Sequence, residues 1–221
     1  MRLISENHIK DAYWRIKPET VINMKSRFIL FFAFTLLVSS CSKEKPMKRV
    51  IDESLAFSAK QYELMTAVMK ELPDQLPRTI DAAGKLRTEN SRWWTSGFYP
   101  GSLWYLYEYS GDEKLKDAAV MMTARVEREK YTTNNHDVGF MLYCSFGNGL
   151  RITGEESYNE VLLTGARSLS TRFRPNTGCI QSWGSNKKWQ CPVIIDNMMN
   201  LELLMWAFRH SGDSSFYKIA V

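Results

Sequence analysis

Trp94-Thr95-Ser96-Gly97-Phe98 leads to Ser110-Gly111-Asp112, His136-Asp137-Val138-Gly139-Phe140 leads to Thr153-Gly154-Glu155, and Asp196-Asn197-Met198-Met199-Asn200 leads to Ser211-Gly212-Asp213. These are three copies of one unit. Counted back from the glycine of each (Ser/Thr)-Gly-(Asp/Glu) stop, Trp94 and Asp137 both stand 17 residues before it and Asp196 stands 16. A repeated unit implies a repeated architecture. A carboxylate recurring at one point of the unit implies a shared mouth where two acids meet.

Between start and stop each copy is apolar on nearly all sides: Phe98, Leu103, Trp104, Leu106 and Tyr107 in the first, residues 138–152 in the second, Leu201, Leu203, Leu204, Met205, Trp206 and Phe208 in the third. After each stop the pattern narrows to one apolar stripe. Ala118, Ala119, Met122 and Val126 make it in a helix expected from Asp112 or Glu113 to about Lys130; residues 157–173 repeat it, and a further helix opens at Ser214. A helix apolar all round is buried, whereas a striped one covers it. Alternating inner and outer helices joined by glycine turns predict an all-α fold, a double-layered toroid of helical hairpins. A further amphipathic helix is expected over residues 50–71, on Leu55, Tyr62, Met65, Val68 and Met69. Pro73 and Pro77 end it, and a loop from Arg78 to Arg92 follows. About seven helices are expected in the chain, where six hairpins need a dozen, so it reads as the N-terminal half of an (α/α)6 barrel. Half a barrel leaves inner helices with an exposed apolar face. The 221 residues alone are therefore expected to be poorly soluble and inactive.

The length allows one domain or part of a larger one, and 44% hydrophobic with 13% aromatic residues suits a packed core. The net charge of +5 is inflated by the N-terminus: residues 1–40 hold six Lys/Arg and three Asp/Glu, leaving 23 against 21 in the rest. With no basic run or recognition motif, no nucleic-acid partner is expected. Lys25 and Arg27 precede an apolar stretch from Phe28 to Val38, too short to span a bilayer and of signal-peptide length. It ends in Leu37-Val38-Ser39-Ser40-Cys41, which resembles a bacterial lipoprotein box. The expected organisation is an over-extended start (1–23), a lipoprotein signal (24–40), a tether beginning at lipidated Cys41 (41–49), and the barrel segment (50–221). That predicts an exported, membrane-anchored protein, facing the periplasm or the cell exterior. Cys144 falls on an apolar helix face as a buried thiol. Cys179 and Cys191 flank one loop and lack metal-type spacing, so neither is read as ligand or nucleophile.

Asp137 and Asp196 are the candidate catalytic residues, at the starts of two inner helices. Aspartate is also a favoured N-cap, and capping alone is the competing reading. Against it, Val193-Ile194-Ile195 and Met198-Met199 surround Asp196 with apolar residues, a setting costly for a lone carboxylate. His136 gives Asp137 a titratable neighbour. Burial and a second carboxylate both raise a carboxyl pKa, so Asp196 is expected to carry the proton and Asp137 to stabilise or position. Trp93 and Trp94 stand where the other copies carry an acid, and an indole face suits the C–H face of a sugar. The stretch at residues 175–192, a loop or short hairpin, carries Trp183, Lys187, Lys188 and Trp189. Such loops on rigid helices hold binding residues, and Lys187 and Lys188 suit a carboxylate or sulfate. Tyr99, Trp104 and Trp206 read as core, and His8 and His210 have no evident partner.

Residues 93–104, Asn135-His136-Asp137-Val138-Gly139-Phe140 and 194–201 together resemble glycoside hydrolase family 88, the unsaturated glucuronyl hydrolases, in order and at sensible spacing over residues 50–221. The resemblance implies an (α/α)6 barrel that removes the unsaturated uronate left by polysaccharide lyases at the non-reducing end of glycosaminoglycan-type fragments. It implies hydration of the C4=C5 double bond: an aspartate protonates C4 and assists water onto C5, and the resulting hemiketal opens to release the remaining sugar. Asp196 matches the acid/base position, Asp137 the second essential aspartate, and Trp94 or Trp93 the stacking tryptophan. No metal or organic cofactor is implied. The alternatives are an unsaturated rhamnogalacturonyl hydrolase acting on pectin fragments, against which His136-Asp137 speaks, and a non-catalytic sugar-binding lipoprotein.

Overall fold

The three glycine stops end three helices in the same way. Gly111, Gly154 and Gly212 take φ of 68°, 71° and 75°, a left-handed conformation that glycine adopts without a Cβ penalty. Each donates its N–H to a carbonyl four residues back, on Tyr107, Leu150 and Phe208, at 2.7–2.8 Å. The repeat visible in the sequence is thus a repeat of helix plus C-terminal cap.

This computed structural model describes residues 45–221; the predicted start, signal and Cys41, like His8, lie outside them. Helix α1 (Met47–Lys70) packs Tyr62, Met65 and Met69 onto the core. A 3-10 turn at Trp94–Gly97 enters the first inner helix, α2 (Phe98–Ser110), which pairs with outer α3 (Glu113–Ala124). The second inner helix is α4 (Val138–Leu142) continued through a π turn (Tyr143–Gly147) into α5 (Asn148–Thr153), and it pairs with outer α6 (Ser157–Ser170). The third is α7 (Asn197–Ser211), followed by α8 (Ser214–Ala220). Among the described residues the layers follow the predicted toroid. Trp104, Leu103, Met141, Leu142, Leu203 and Leu204 of the inner helices are fully buried, with Leu115, Met122, Leu162 and Leu169 of the outer layer upon them. The Trp104 indole donates to Thr123 Oγ1 at 3.0 Å, which satisfies its one polar atom.

Two segments depart from expectation, and a third, expected as a loop or short hairpin, opens as a hairpin. The predicted loop at 78–92 begins as a two-stranded antiparallel ribbon, β1 (Leu76–Ile80) with β2 (Leu86–Glu89). Its turn is built by Asp81, whose Oδ1 accepts from the N–H groups of Ala83 and Lys85 at 3.0 and 2.9 Å, an Asx-type turn. A second ribbon, β3 (Phe173–Arg174) with β4 (Cys179–Ile180), precedes the tryptophan loop. The first outer helix stops at Ala124, short of Lys130, and gives way to a 3-10 turn at Glu127–Tyr131. There Arg125 turns away to donate to the carbonyls of Met69, Leu72 and Gln75, at 3.0, 3.0 and 2.7 Å, so it caps the C-terminal end of α1.

Tyr99 and Trp104 are core as expected, while Trp206 is half-buried and stacks on His210 at 4.9 Å between ring centroids. His210 therefore has the partner its sequence setting did not show. Cys144 is partly buried, and burial pushes its thiol up to about 11. Cys179 and Cys191 are both unbridged thiols.

Candidate active site

Four aspartates open helices, and they divide into two kinds. Asp112 and Asp213 take extended backbone and accept a hydrogen bond from the N–H two residues on, Lys114 and Ser215, both at 2.9 Å. Those two are ordinary N-caps. Asp137 and Asp196 take helical backbone, and neither side chain caps its helix. Capping therefore does not account for the two candidate acids.

Their carboxylates meet on one imidazole. His136 Nε2 lies 3.2 Å from Asp137 Oδ1 and 3.2 and 3.3 Å from the two oxygens of Asp196. The other ring nitrogen, Nδ1, lies 2.7 Å from the Ser182 carbonyl oxygen. A carbonyl only accepts, so Nδ1 carries a hydrogen. Were Nε2 bare and both acids ionised, three lone pairs would converge with nothing between them. A second proton is accordingly shared in the trio, on Nε2 or on one of the carboxyls. The donor atoms of His136, Asp137 and Asp196 all lie within 4.8 Å of one another, near enough to share a proton or a cation.

Burial is unequal within the trio. His136 is 1% exposed and Asp137 8%, whereas the Asp196 side chain is 36% exposed. Burial pushes the Asp137 carboxyl above its ordinary value; charge from His136, the Asn135 contact and Arg172 pull the other way, and Asp196 adds to the rise. The apolar burial expected around Asp196 is not found. Ile195 is 87% exposed, and Val193, Met198 and Met199 also face solvent, because these sequence neighbours occupy other faces of the helix start. The desolvated acid is Asp137.

Ser182 organises the floor beneath the trio. Its carbonyl holds His136, its N–H donates to the Pro192 carbonyl at 2.8 Å, and its Oγ accepts from Ile194 N–H at 3.0 Å and Asn197 Nδ2 at 3.1 Å. The segment leading into α7, and with it Asp196, is thereby fixed against the residue that fixes His136. Arg172, also buried, donates to the carbonyls of Gln181 at 2.7 Å and Thr133 at 3.0 Å.

Trp94 is 45% exposed and packs edge-on against Phe98 and Phe140, at 5.9 and 6.2 Å between centroids. Phe140 lies in the first turn of the helix that Asp137 opens, so Trp94 packs on that turn with indole surface open. Trp93 is engaged elsewhere: the Arg78 guanidinium lies 4.0 Å over its ring. Lys188 Nζ sits 4.5 Å over Trp189 in the exposed loop, so these two contact each other. Trp183, which the sequence placed only in that loop, meets His136 edge-on at 6.2 Å and is 48% exposed. Of the two half-exposed indoles, Trp183 thus touches the trio and Trp94 packs on the helix that Asp137 opens.

No family model matches the chain. Over 202 residues it is 36% identical to an unsaturated glucuronyl hydrolase of Formosa agariphila, a match covering 87% of this chain and 50% of that protein. This chain is a homologue of the unsaturated glucuronyl hydrolases. It is also 30% identical over 177 residues to an unsaturated chondroitin disaccharide hydrolase of Streptococcus pneumoniae, covering 78% of this chain and 44% of the relative. Among solved structures, an unsaturated glucuronyl hydrolase specific for heparin superposes with a TM-score of 0.69 at 40% identity, covering 76% of this chain and 46% of that one. The chain spans about half the length of the relatives it matches. The all-α toroid of helical hairpins is thus shared with the unsaturated glucuronyl hydrolases over that half.

Proposed function

We propose that the full-length protein hydrolyses the 4,5-unsaturated uronate from lyase-generated glycosaminoglycan-type oligosaccharides. The observation that carries this reading is the pair of non-capping aspartates bridged by one buried histidine, at the starts of neighbouring inner helices, in a homologue of the unsaturated glucuronyl hydrolases. Asp196, the more exposed acid, gives its proton to C4 of the C4=C5 double bond. The same carboxylate then takes a proton from water as its oxygen bonds to C5. The C5 hemiketal opens and the remaining sugar leaves with its own oxygen. Asp137, desolvated and joined to Asp196 through His136, prevents both acids from ionising independently and so keeps the shared proton available to Asp196. Trp94 offers its indole face to the uronate ring, and Trp183 lies against His136.

The names of the relatives, glucuronyl and chondroitin disaccharide hydrolases, favour uronyl disaccharides over rhamnogalacturonyl ones. Hydration destroys the conjugated enoate, so its ultraviolet absorbance reports turnover directly. Loss of that absorbance on an unsaturated uronyl disaccharide, and not on the pectin-derived one, supports the reading; retention with both overturns it.

We also propose that the protein is exported and anchored through lipidated Cys41. The support is the sequence from Lys25 to Cys41, outside the described residues; among those described, no helix is long and apolar enough to cross a membrane. Radiolabelled palmitate carried by the wild type and lost in Cys41→Ser would support the anchor, and equal labelling of both would refute it.

A further inference from the structure

We propose that Asn200 is a positioning residue: it caps the helix that Asp137 opens, and so leaves the Asp137 carboxylate free to face His136. The inference rests on the roles proposed above for the two acids. The first amides of a helix need acceptors, and the residue at the N-cap ordinarily supplies one. Asp112 and Asp213 do so for α3 and α8. Asp137 holds the same position at α4 and does not. The missing acceptor comes from another helix. Asn200 Oδ1 accepts the Phe140 N–H at 3.0 Å, across 60 residues of sequence.

Three further features mark this contact as built. Asn200 has no exposed surface. Its Nδ2 donates to the Asp196 carbonyl at 3.3 Å, so one side chain touches the starts of both helices that carry an acid. The partner surface opposite is Gly139, where an added Cβ would lie 2.5 Å from Asn200 Cα. Only a bare backbone lets α7 come close enough for the amide to reach Phe140.

Remove the amide and the Phe140 N–H loses its acceptor in a buried place. The side chain at the N-cap is the one able to replace it. Asp137 then shifts to the extended backbone of Asp112 and Asp213, turns its carboxylate into capping geometry, and leaves His136 Nε2. Substrate contacts at Trp94 and Trp183 are untouched by that rotation. The loss therefore appears in kcat rather than in KM, which separates positioning from a general loosening of the fold.

The test uses full-length wild type, Asn200→Ala and Asn200→Asp, with kinetics on an unsaturated uronyl disaccharide and crystal structures of both variants. Asn200→Ala is expected to lower kcat about tenfold to a hundredfold, the scale of a small misplacement of a reacting group, with KM changed less than about threefold. Its structure should show an Asp137 oxygen within hydrogen-bond distance of the Gly139 or Phe140 nitrogen. Asn200→Asp keeps the acceptor for Phe140 N–H while losing the donor to the Asp196 carbonyl, so Asp137 should stay on His136 and kcat should recover part of the loss. Asp137 unmoved in Asn200→Ala, or displaced in Asn200→Asp, overturns the inference. If the wild type itself leaves the enoate intact, the functional reading fails while the crystal structures still decide the positioning claim. If Asn200→Ala does not fold, the Asp137 position in Asn200→Asp decides it alone.

Discussion

Gly139→Ala should damage catalysis more than it damages the fold. A Cβ at this position would lie 2.5 Å from Asn200 Cα and 2.6 Å from Asn200 Cβ and O, where ordinary contacts begin near 3.4 Å. All three neighbours are backbone or Cβ atoms, so no rotamer change relieves the clash. Helices α4 and α7 must part by roughly 1 Å. The bond from Phe140 N–H to Asn200, now 3.0 Å, then exceeds hydrogen-bond range. The acids sit just before this contact, Asp137 two residues before Gly139 and Asp196 four before Asn200. Their shared spacing on His136, 3.2 Å on each side, opens by a similar amount. Overpacking of this kind costs about 1–3 kcal/mol of stability. A 1 Å misplacement costs up to about a hundredfold in rate. The assay is kcat/KM from loss of enoate absorbance, run beside a urea melt of the same preparation. A variant with a lowered melt and wild-type kcat would refute the claim that this helix contact sets the geometry of the acids.

Other expectations follow from the site. Burial raises the Asp137 carboxyl above 3.8, so its proton stabilises the fold fully below that value, and the benefit is lost as pH rises through the raised folded value. Asp137→Asn should therefore be inactive yet melt at higher temperature than wild type near neutral pH, with the gain shrinking as pH falls toward 3.8; an equal gain at every pH in a calorimetric series would contradict this. Trp94→Ala should raise KM up to about tenfold, the equivalent of roughly 1.4 kcal/mol of ring contact, with kcat nearly unchanged; a KM equal to wild type would remove Trp94 from the sugar site. Turnover should survive dialysis against a strong chelator undiminished, and activity restored only by added divalent cation would assign the trio a metal instead.

What the sequence made legible was what local chemistry forces. The inner helices end at glycines because φ near 70° excludes most other residues, and three such stops exposed the repeat. The two acids were legible through that repeat. Their relation was not. Asp196 looked desolvated because isoleucine and methionine flank it in sequence, yet those side chains face solvent and Asp137 is the buried acid. His136 reads as a neighbour of Asp137, whereas its geometry is fixed by contacts to Ser182 and Asp196, 46 and 60 residues away. The Asn200 cap and the Trp183 edge contact are likewise long-range, and single-chain periodicity carries no signal for them. The β1–β2 ribbon does carry a local signal: Asp81 to Gly84, with Gly84 at φ 75°, is a turn between two short segments that each carry leucine.

The most direct measurement is the ultraviolet absorbance of an unsaturated uronyl disaccharide incubated with full-length protein, wild type against Asp196→Asn. Simple displacement at the anomeric carbon would release a sugar whose double bond is intact, whereas hydration removes the double bond as the step that breaks the linkage. The account predicts loss of absorbance in step with disaccharide cleavage for the wild type, and at least about a thousandfold less for Asp196→Asn, within the range for removing a general acid–base group. Cleavage with the absorbance retained, or turnover by Asp196→Asn at the wild-type rate, would contradict it.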